Sequence, residues 1–226
     1  MNFETKAMEG TIKEHIKTFT EELGEHIDLV AVSKTKPNQD LMEAYEAGQR
    51  IFGENKVQEM TDKWEALPKD IQWHMVGHVQ TNKVKYMAPY VDLIHAVHKL
   101  KLLKEINKRA KENDRVINCL LQVKIAEEDS KYGMSPDELR AFLKDEKLSE
   151  LKNVKLKGLM AMATFTEDED QIHREFQVLQ DLYEETSKTQ ADFSILSIGM
   201  SGDYKIAMQH GTNMVRIGSS IFGARH

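Results

Sequence analysis

Eight short apolar runs, most separated from the next by a segment of helical periodicity, limit most strongly what this 226-residue chain can fold into. The runs are residues 29–34 (LVAVSK), 50–53 (RIFG), 71–76 (IQWHMV), 91–97, 116–125 (VINCLLQVKI), 156–162 (LKGLMAM), 193–198 (FSILSI) and 214–217 (MVRI). Each has strand length, and short continuous apolar runs are the mark of strands buried on both faces. Before and between them lie helical signals. Ile12, Ile16, Phe19 and Leu23 form an amphipathic stripe ahead of the first run, expected to pack outside whatever follows. Residues 38–47 read as a helix closed by Gly48, and 55–66 as one stopped by Pro68. Residues 82–87 form a short helix, and Leu100, Leu103, Ile106 and Ala110 mark another. Ser135, Pro136 and Glu138 open a helix with a capping box, Thr166 with Glu169 is expected to cap a long one, and residues 203–209 form a short one.

Strand–helix–strand connections are right-handed and make neighbouring strands parallel. Eight such strands close into a (β/α)8 barrel, here with an extra N-terminal helix. The alternative is an open doubly wound sheet. It wants a glycine-rich first turn, whereas residues 34–38 read KTKPN. No linker, repeat or low-complexity stretch divides the chain, so residues 1–226 read as one domain.

Composition narrows the function classes. With 40% hydrophobic and 30% charged residues, the chain is neither disordered nor a bundle of membrane spans. A net charge of -6 argues against general nucleic-acid binding. The opening MNFETKAMEG carries no secretory pattern, and Cys119 is the single cysteine, so a reducing, cytoplasmic setting is the expectation.

In such a barrel the chemistry sits at the carboxyl ends of the strands. The first ends in Ser33-Lys34-Thr35-Lys36-Pro37. Lys34 shares strand parity with Val30 and Val32, so if those valines face the barrel interior, an amine stands at its mouth. Desolvation there lowers an amine's pKa and favours Schiff-base chemistry, although a lone lysine at a strand end is ordinarily solvated. Parity alone does not choose between Lys34 and Lys36. Asn55 after the second strand offers an amide to a ligand or a cap to the next helix. His74 and His78 are four residues apart, but a glycine lies between them and no metalloprotease glutamate accompanies them. Structural histidines are the expectation for them, and for His95 and His98. Methionines at the end of the sixth strand, Met160 and Met162, either pack or wall a flat ring site.

The last two strands end in Ser197-Ile198-Gly199-Met200-Ser201-Gly202-Asp203 and Arg216-Ile217-Gly218-Ser219-Ser220. Glycine lets backbone amides approach an anion, serine adds a hydroxyl, and loops after strands seven and eight are the usual phosphate cup of this barrel. Ordinary turn chemistry also selects these residues. Two such loops together with a lysine at strand one point to a phosphate-bearing carbonyl ligand, and pyridoxal 5'-phosphate fits. Arg216 is then placed to reach the pyridine nitrogen and keep it unprotonated, weakening the ring as an electron sink. A surface ion pair is the plain rival for that arginine.

The stretches AVSKTKP (31–37), GQRIFGENKVQE (48–59), WHMVGHVQTNK (73–83), GLMAMAT (158–164) and VRIGSSIFGAR (215–225) resemble the YggS/PROSC-type pyridoxal phosphate homeostasis proteins over nearly the whole chain. The resemblance implies a barrel like the amino-terminal domain of alanine racemase, holding pyridoxal 5'-phosphate as a Schiff base on Lys34. It implies a phosphate site at Ser201, Gly218 and Ser219, a pyridine-facing Arg216, and Asn55 and Met160 lining the pocket. It implies secondary cofactor contacts at Lys36 and Lys131. It also implies a protein that buffers or delivers the cofactor without established turnover, with apo-enzymes that use pyridoxal phosphate as possible recipients. The sequence departs from the family pattern at Gly77-His78-Val79, at Ala163 and at Gly202-Asp203.

A racemase-like enzyme is the alternative. Racemisation needs a base on each face of the substrate carbon, and Lys34 supplies one. In the racemases the other is a tyrosine from a second domain of the partner subunit, and this sequence ends at His226, soon after the eighth strand. A monomeric carrier is therefore the expectation. A metal-dependent hydrolase would need His74, His78 or His95 to meet carboxylates, and the strand ends offer only Glu54 and Asp203.

Overall fold

A computed structural model describes residues 10–127 and 132–223. Its strands are β1 (Asp28–Val32), β2 (Ile51–Glu54), β3 (Gln72–Met75), β4 (Leu93–Val97), β5 (Ile117–Gln122), β6 (Val154–Met160), β7 (Ile195–Met200) and β8 (Met214–Ile217). Its α-helices are α1 (Ile12–Leu23), α2 (Asn38–Glu46), α3 (Val57–Ala66), α4 (Val84–Met87), α5 (Leu100–Glu112), α6 (Pro136–Leu143), α7 (Glu169–Ser187), α8 (Tyr204–Gln209) and α9 (Ser219–Phe222). The strands pair in chain order, all parallel, and β8 closes on β1 through Leu29 opposite Val215 and Val30 opposite Arg216. The barrel is closed, and the open-sheet alternative is set aside.

Two apolar layers follow from strand parity. Leu29, Ala31, Phe52, Trp73, Ile94, Leu121 and Leu159 pack outward into the helical shell. Val30, Leu93, Leu120, Met160 and Met214 fill the interior. Gly53 also points inward, because a Cβ there would stand 2.9 Å from Val30 Cγ1 and 3.2 Å from Val76 Cγ1. Its neighbour Glu54 therefore faces the helices. Gly158 marks a register shift where β6 meets β5. Its φ is +148°, and a Cβ would stand 1.8 Å from Ile195 O, so only glycine fits.

The N-terminal stripe behaves as expected. Thr11 and Glu14 close a capping box on α1, which buries Ile16, Phe19 and Leu23 and packs on α2 and α9. Ser135 and Glu138 cap α6 in the same way, with Pro136 in its first turn. Gly48 has a φ of +102° just past α2.

Three local expectations need correction. Strand one stops at Val32 rather than Lys34, because Ser33 O takes Lys36 N–H at 3.1 Å and Thr35 enters the left-handed region at φ +64°. Asn55 caps no helix, since α3 begins at Val57 after Lys56, which gives no side-chain cap. The long helix α7 is capped by Asp168, which accepts from Gln171 N–H, while Thr166 Oγ1 accepts from Asp168 N–H. A capping-type side chain stands at both 166 and 168, and the path of the turn decides between them.

Candidate functional site

A cavity of about 1090 Å³ opens at the carboxyl ends of the strands. That is just above the range of ~300–1,000 Å³ common for small-molecule sites. Lys34, Lys36, Asn55, Ser201, Arg216, Gly218 and Ser219 all line it. Of the anticipated residues, Met160 stands apart. It is buried in the interior layer, and Met162 forms the wall at that strand end. Lys131 lies outside the described residues.

Arg216 is built in from below. It lies on β8 opposite Val30, shares its inward parity, and is only 5% exposed. Nη1 donates to Ser197 O at 2.8 Å and Ser197 Oγ at 2.7 Å, and Nη2 donates to Ala161 O at 2.8 Å. All three acceptors are neutral. Burial pushes its pKa down to about 10, with the charge of Asp203 partly opposing. The guanidinium stays protonated at neutral pH, and because it is buried on neutral acceptors it is not held in a surface ion pair. Two carbonyls and a hydroxyl thus hold this buried guanidinium in a fixed position at the cavity.

A polar chain continues beneath. Ser197 Oγ lies 3.5 Å from His95 Nδ1, and His95 Nε2 lies 3.1 Å from His74 Nδ1. With Arg216 donating to the serine hydroxyl, a consistent assignment has that hydroxyl donating to His95, which in turn donates to His74. Burial lowers the His74 pKa to about 3 and holds that of His95 well below its ordinary value, with His74 and Arg216 adding to the effect. Both rings are neutral, as structural histidines. Among the described residues no group of three His, Cys, Asp or Glu side chains could hold a metal ion.

On the phosphate-type side, Gly218 runs close over β1, since a Cβ would approach Val32 O to 3.2 Å. The first N–H groups of α9, at Ser219 and Ser220, have no acceptor further back within the helix. Asp203 Oδ1 accepts Met200 N–H at 2.5 Å, which folds the Ser201–Gly202 turn over the cavity. The side chains of Lys34 and Arg216 line the cavity, whereas Glu167 and Glu169 are exposed at the rim.

Several features escape sequence reasoning. Gln122 ends β5 in the cavity wall and donates to Tyr132 O at 3.0 Å. His78 stacks on Tyr132, with ring centres 5.2 Å apart, and exposed Phe165 stands at the same rim. Glu175 gathers the rim loops by accepting from Thr164 N–H, Thr164 Oγ1 and Glu127 N–H. Lys63 and Glu54 form a buried ion pair behind the Lys34 turn, at 2.7 Å. The available signal for that pair was a lysine on the apolar side of α3, where Val57 and Met60 are buried with it.

The chain matches the alanine racemase, N-terminal domain family over residues 9–226. It is 39% identical over 202 residues to a pyridoxal phosphate homeostasis protein of Aquifex aeolicus, covering 87% of this chain and 86% of that one. PipY of Synechococcus elongatus with PLP bound superposes with a TM-score of 0.86 at 33% identity, covering 94% of this chain and all of that one. An alanine racemase of Clostridium difficile shares the fold alone, with a TM-score of 0.76 at 13% identity over 95% of this chain and 57% of its own. The eight-stranded barrel and these likenesses agree, and the chain belongs to the alanine racemase N-terminal domain family, among relatives named pyridoxal phosphate homeostasis protein.

Proposed function

We propose that this protein binds pyridoxal 5'-phosphate and holds it in reserve, with Lys34 as its covalent anchor. The observation that carries the reading is the shared cavity, in which a lysine from the first strand end faces the same space as Arg216 and the Gly/Ser turns of the last two strands. The residues suit the group. Arg216 is a buried cation bonded to neutral acceptors, and the Gly218 cradle and the first N–H groups of α9 accommodate a phosphate. When bound, the cofactor supplies an aldehyde that condenses with a primary amine, releasing water, and a phosphate that anchors it.

The chain's own residues divide the work. Lys34 would supply its amine, in the deprotonated form, to the aldehyde. Ser201, Gly202, Gly218 and Ser219 hold the phosphate end. Arg216, protonated and locked by three acceptors, presents a fixed donor to the pyridine nitrogen. Asn55 borders the ring site, and Met160 underlies it beside Ala161. Lys36, in the same wall, is a secondary contact.

A store rather than an enzyme is favoured by Arg216, which leaves the pyridine nitrogen a poor electron sink, and by the relatives' naming for homeostasis. We assign the protein to the cytoplasm as a monomeric, single-domain carrier that passes cofactor to apo-enzymes. The racemase-like alternative predicts sustained α-proton exchange when L- or D-alanine is incubated with the loaded protein in deuterated water. The carrier predicts none at an enzyme-like rate. The site is tested by spectroscopy. Wild type mixed with the cofactor should develop a yellow absorbance band that borohydride abolishes, Lys34→Ala should lose it, and Lys36→Ala should keep most of it. The reverse pattern reassigns the anchor to Lys36.

A further inference from the structure

We propose that Glu54, Lys63 and Glu59 are positioning residues, a partly buried charge clamp outside the cavity that fixes where the Lys34 amine stands. The inference rests on the reading of Lys34 as the anchor and extends it to residues that touch no ligand. Lys63 is 5% exposed, although it sits on the apolar side of α3. Its ammonium has three donors, and all are taken. They go to Ser33 O at 2.8 Å, Glu54 Oε1 at 2.7 Å and Glu59 Oε1 at 2.8 Å. Glu54 is fully buried, and burial raises its pKa against the opposing pull of Lys63.

The clamp closes on both neighbours of Lys34. Ser33 is gripped at three points. Its N–H donates to Gly53 O at 3.0 Å, its hydroxyl donates to Glu54 Oε1 at 2.7 Å, and its carbonyl receives Lys63. Thr35 N–H donates to Glu59 Oε1 at 2.5 Å. Thr35 is β-branched and sits at φ +64°, a conformation that persists only where the surroundings over-determine it. Between these two fixed residues, Lys34 turns its side chain into the cavity wall.

Hydrophobic packing at position 63 would avoid the desolvation of an ion pair. The charges return geometric definition, since a strand tail and a left-handed turn are locked together at the residue whose amine must meet an aldehyde. A shift of about 1 Å at such a group is enough to cost reactivity.

The test compares two ligands that differ only at the reacting carbon, pyridoxal 5'-phosphate and pyridoxine 5'-phosphate, which carries an alcohol in place of the aldehyde. Dissociation constants are measured for wild type, Lys34→Ala, Lys63→Met, Glu59→Ala and Glu59→Gln. In Glu59→Ala and Lys63→Met we expect affinity for the aldehyde to fall about tenfold or more, while affinity for the alcohol stays within about twofold. Glu59→Gln keeps an oxygen for Thr35 N–H and should stay within about threefold of wild type for both. Equal losses for the two ligands would reduce the clamp to general scaffolding and overturn the proposal, as would no loss for either. Glu59 is part-exposed, so its variants keep the test decisive if Lys63→Met does not fold. If wild type and Lys34→Ala bind both ligands alike, the anchor reading itself fails, and the clamp with it.

Discussion

Acidification acts on a defined pair inside the barrel. His74 and His95 are buried, neutral and joined at 3.1 Å, with Ser197 leading from them to Arg216. Each has a folded-state pKa depressed below 6.5, to about 3 for His74 and well below 6.5 for His95. In the unfolded chain both rings take up a proton near pH 6.5. Between those limits the unfolded state binds more protons, so the contribution of the pair is complete above 6.5 and is lost as the pH falls toward about 3. One pH unit below 6.5, each ring costs about 1.4 kcal/mol, so the two cost about 3 kcal/mol between ~pH 7.5 and ~pH 5.5. For a chain of this length that is about 6–12 °C in Tm. Buried carboxylates such as Glu54, raised by burial, run the other way, and His98 and His210, lowered by burial, run the same way. The assay is therefore a difference. Urea unfolding of wild type and of a His74→Asn/His95→Gln variant is followed across this pH range, and wild type should lose about 3 kcal/mol more than the variant. Parallel profiles would refute the assignment of two buried neutral rings.

Other perturbations are equally direct. Gly158→Ala brings a Cβ to 1.8 Å from Ile195 O at φ +148°, and should destabilise the fold by about 3 kcal/mol or more in denaturant titration; a change of ~0.5 kcal/mol would contradict the register described. Arg216→Gln removes charged donors to Ser197 and Ala161, and should weaken pyridoxal 5'-phosphate binding by about 10–100-fold in a calorimetric titration. Arg216→Lys keeps the charge without the fork, and should restore only part of that affinity.

The barrel was legible because parallel strands covered on both faces are written as unbroken apolar runs, and the helices between them carry an amphipathic period. The inward parity of Val30 and Arg216 followed from that alternation, whereas Lys34 reaches the cavity from a turn just past Val32 that parity does not describe. What stayed hidden depends on turns and on distance in the chain. Asn55 is a capping-type residue, yet its backbone lies so close to Gly77 that a Cβ there would stand 2.5 Å from Asn55 O. That contact belongs to the packing of two strand ends, which no local pattern records. The Glu54–Lys63 pair joins a strand to a helix face, and the stack of His78 on Tyr132 joins loops more than fifty positions apart. Met160 and Met162 share the inward face of the same strand end, but Met160 lies one step deeper, in the buried interior layer, and only Met162 reaches the cavity wall.

The most direct measurement of the central claim is peptide mass spectrometry of the protein after loading with pyridoxal 5'-phosphate and reduction with borohydride. A phosphopyridoxyl group on the peptide containing Lys34, at that lysine, is the predicted result. A reduced protein carrying the group on Lys36 or on a surface lysine, or carrying none, would contradict it.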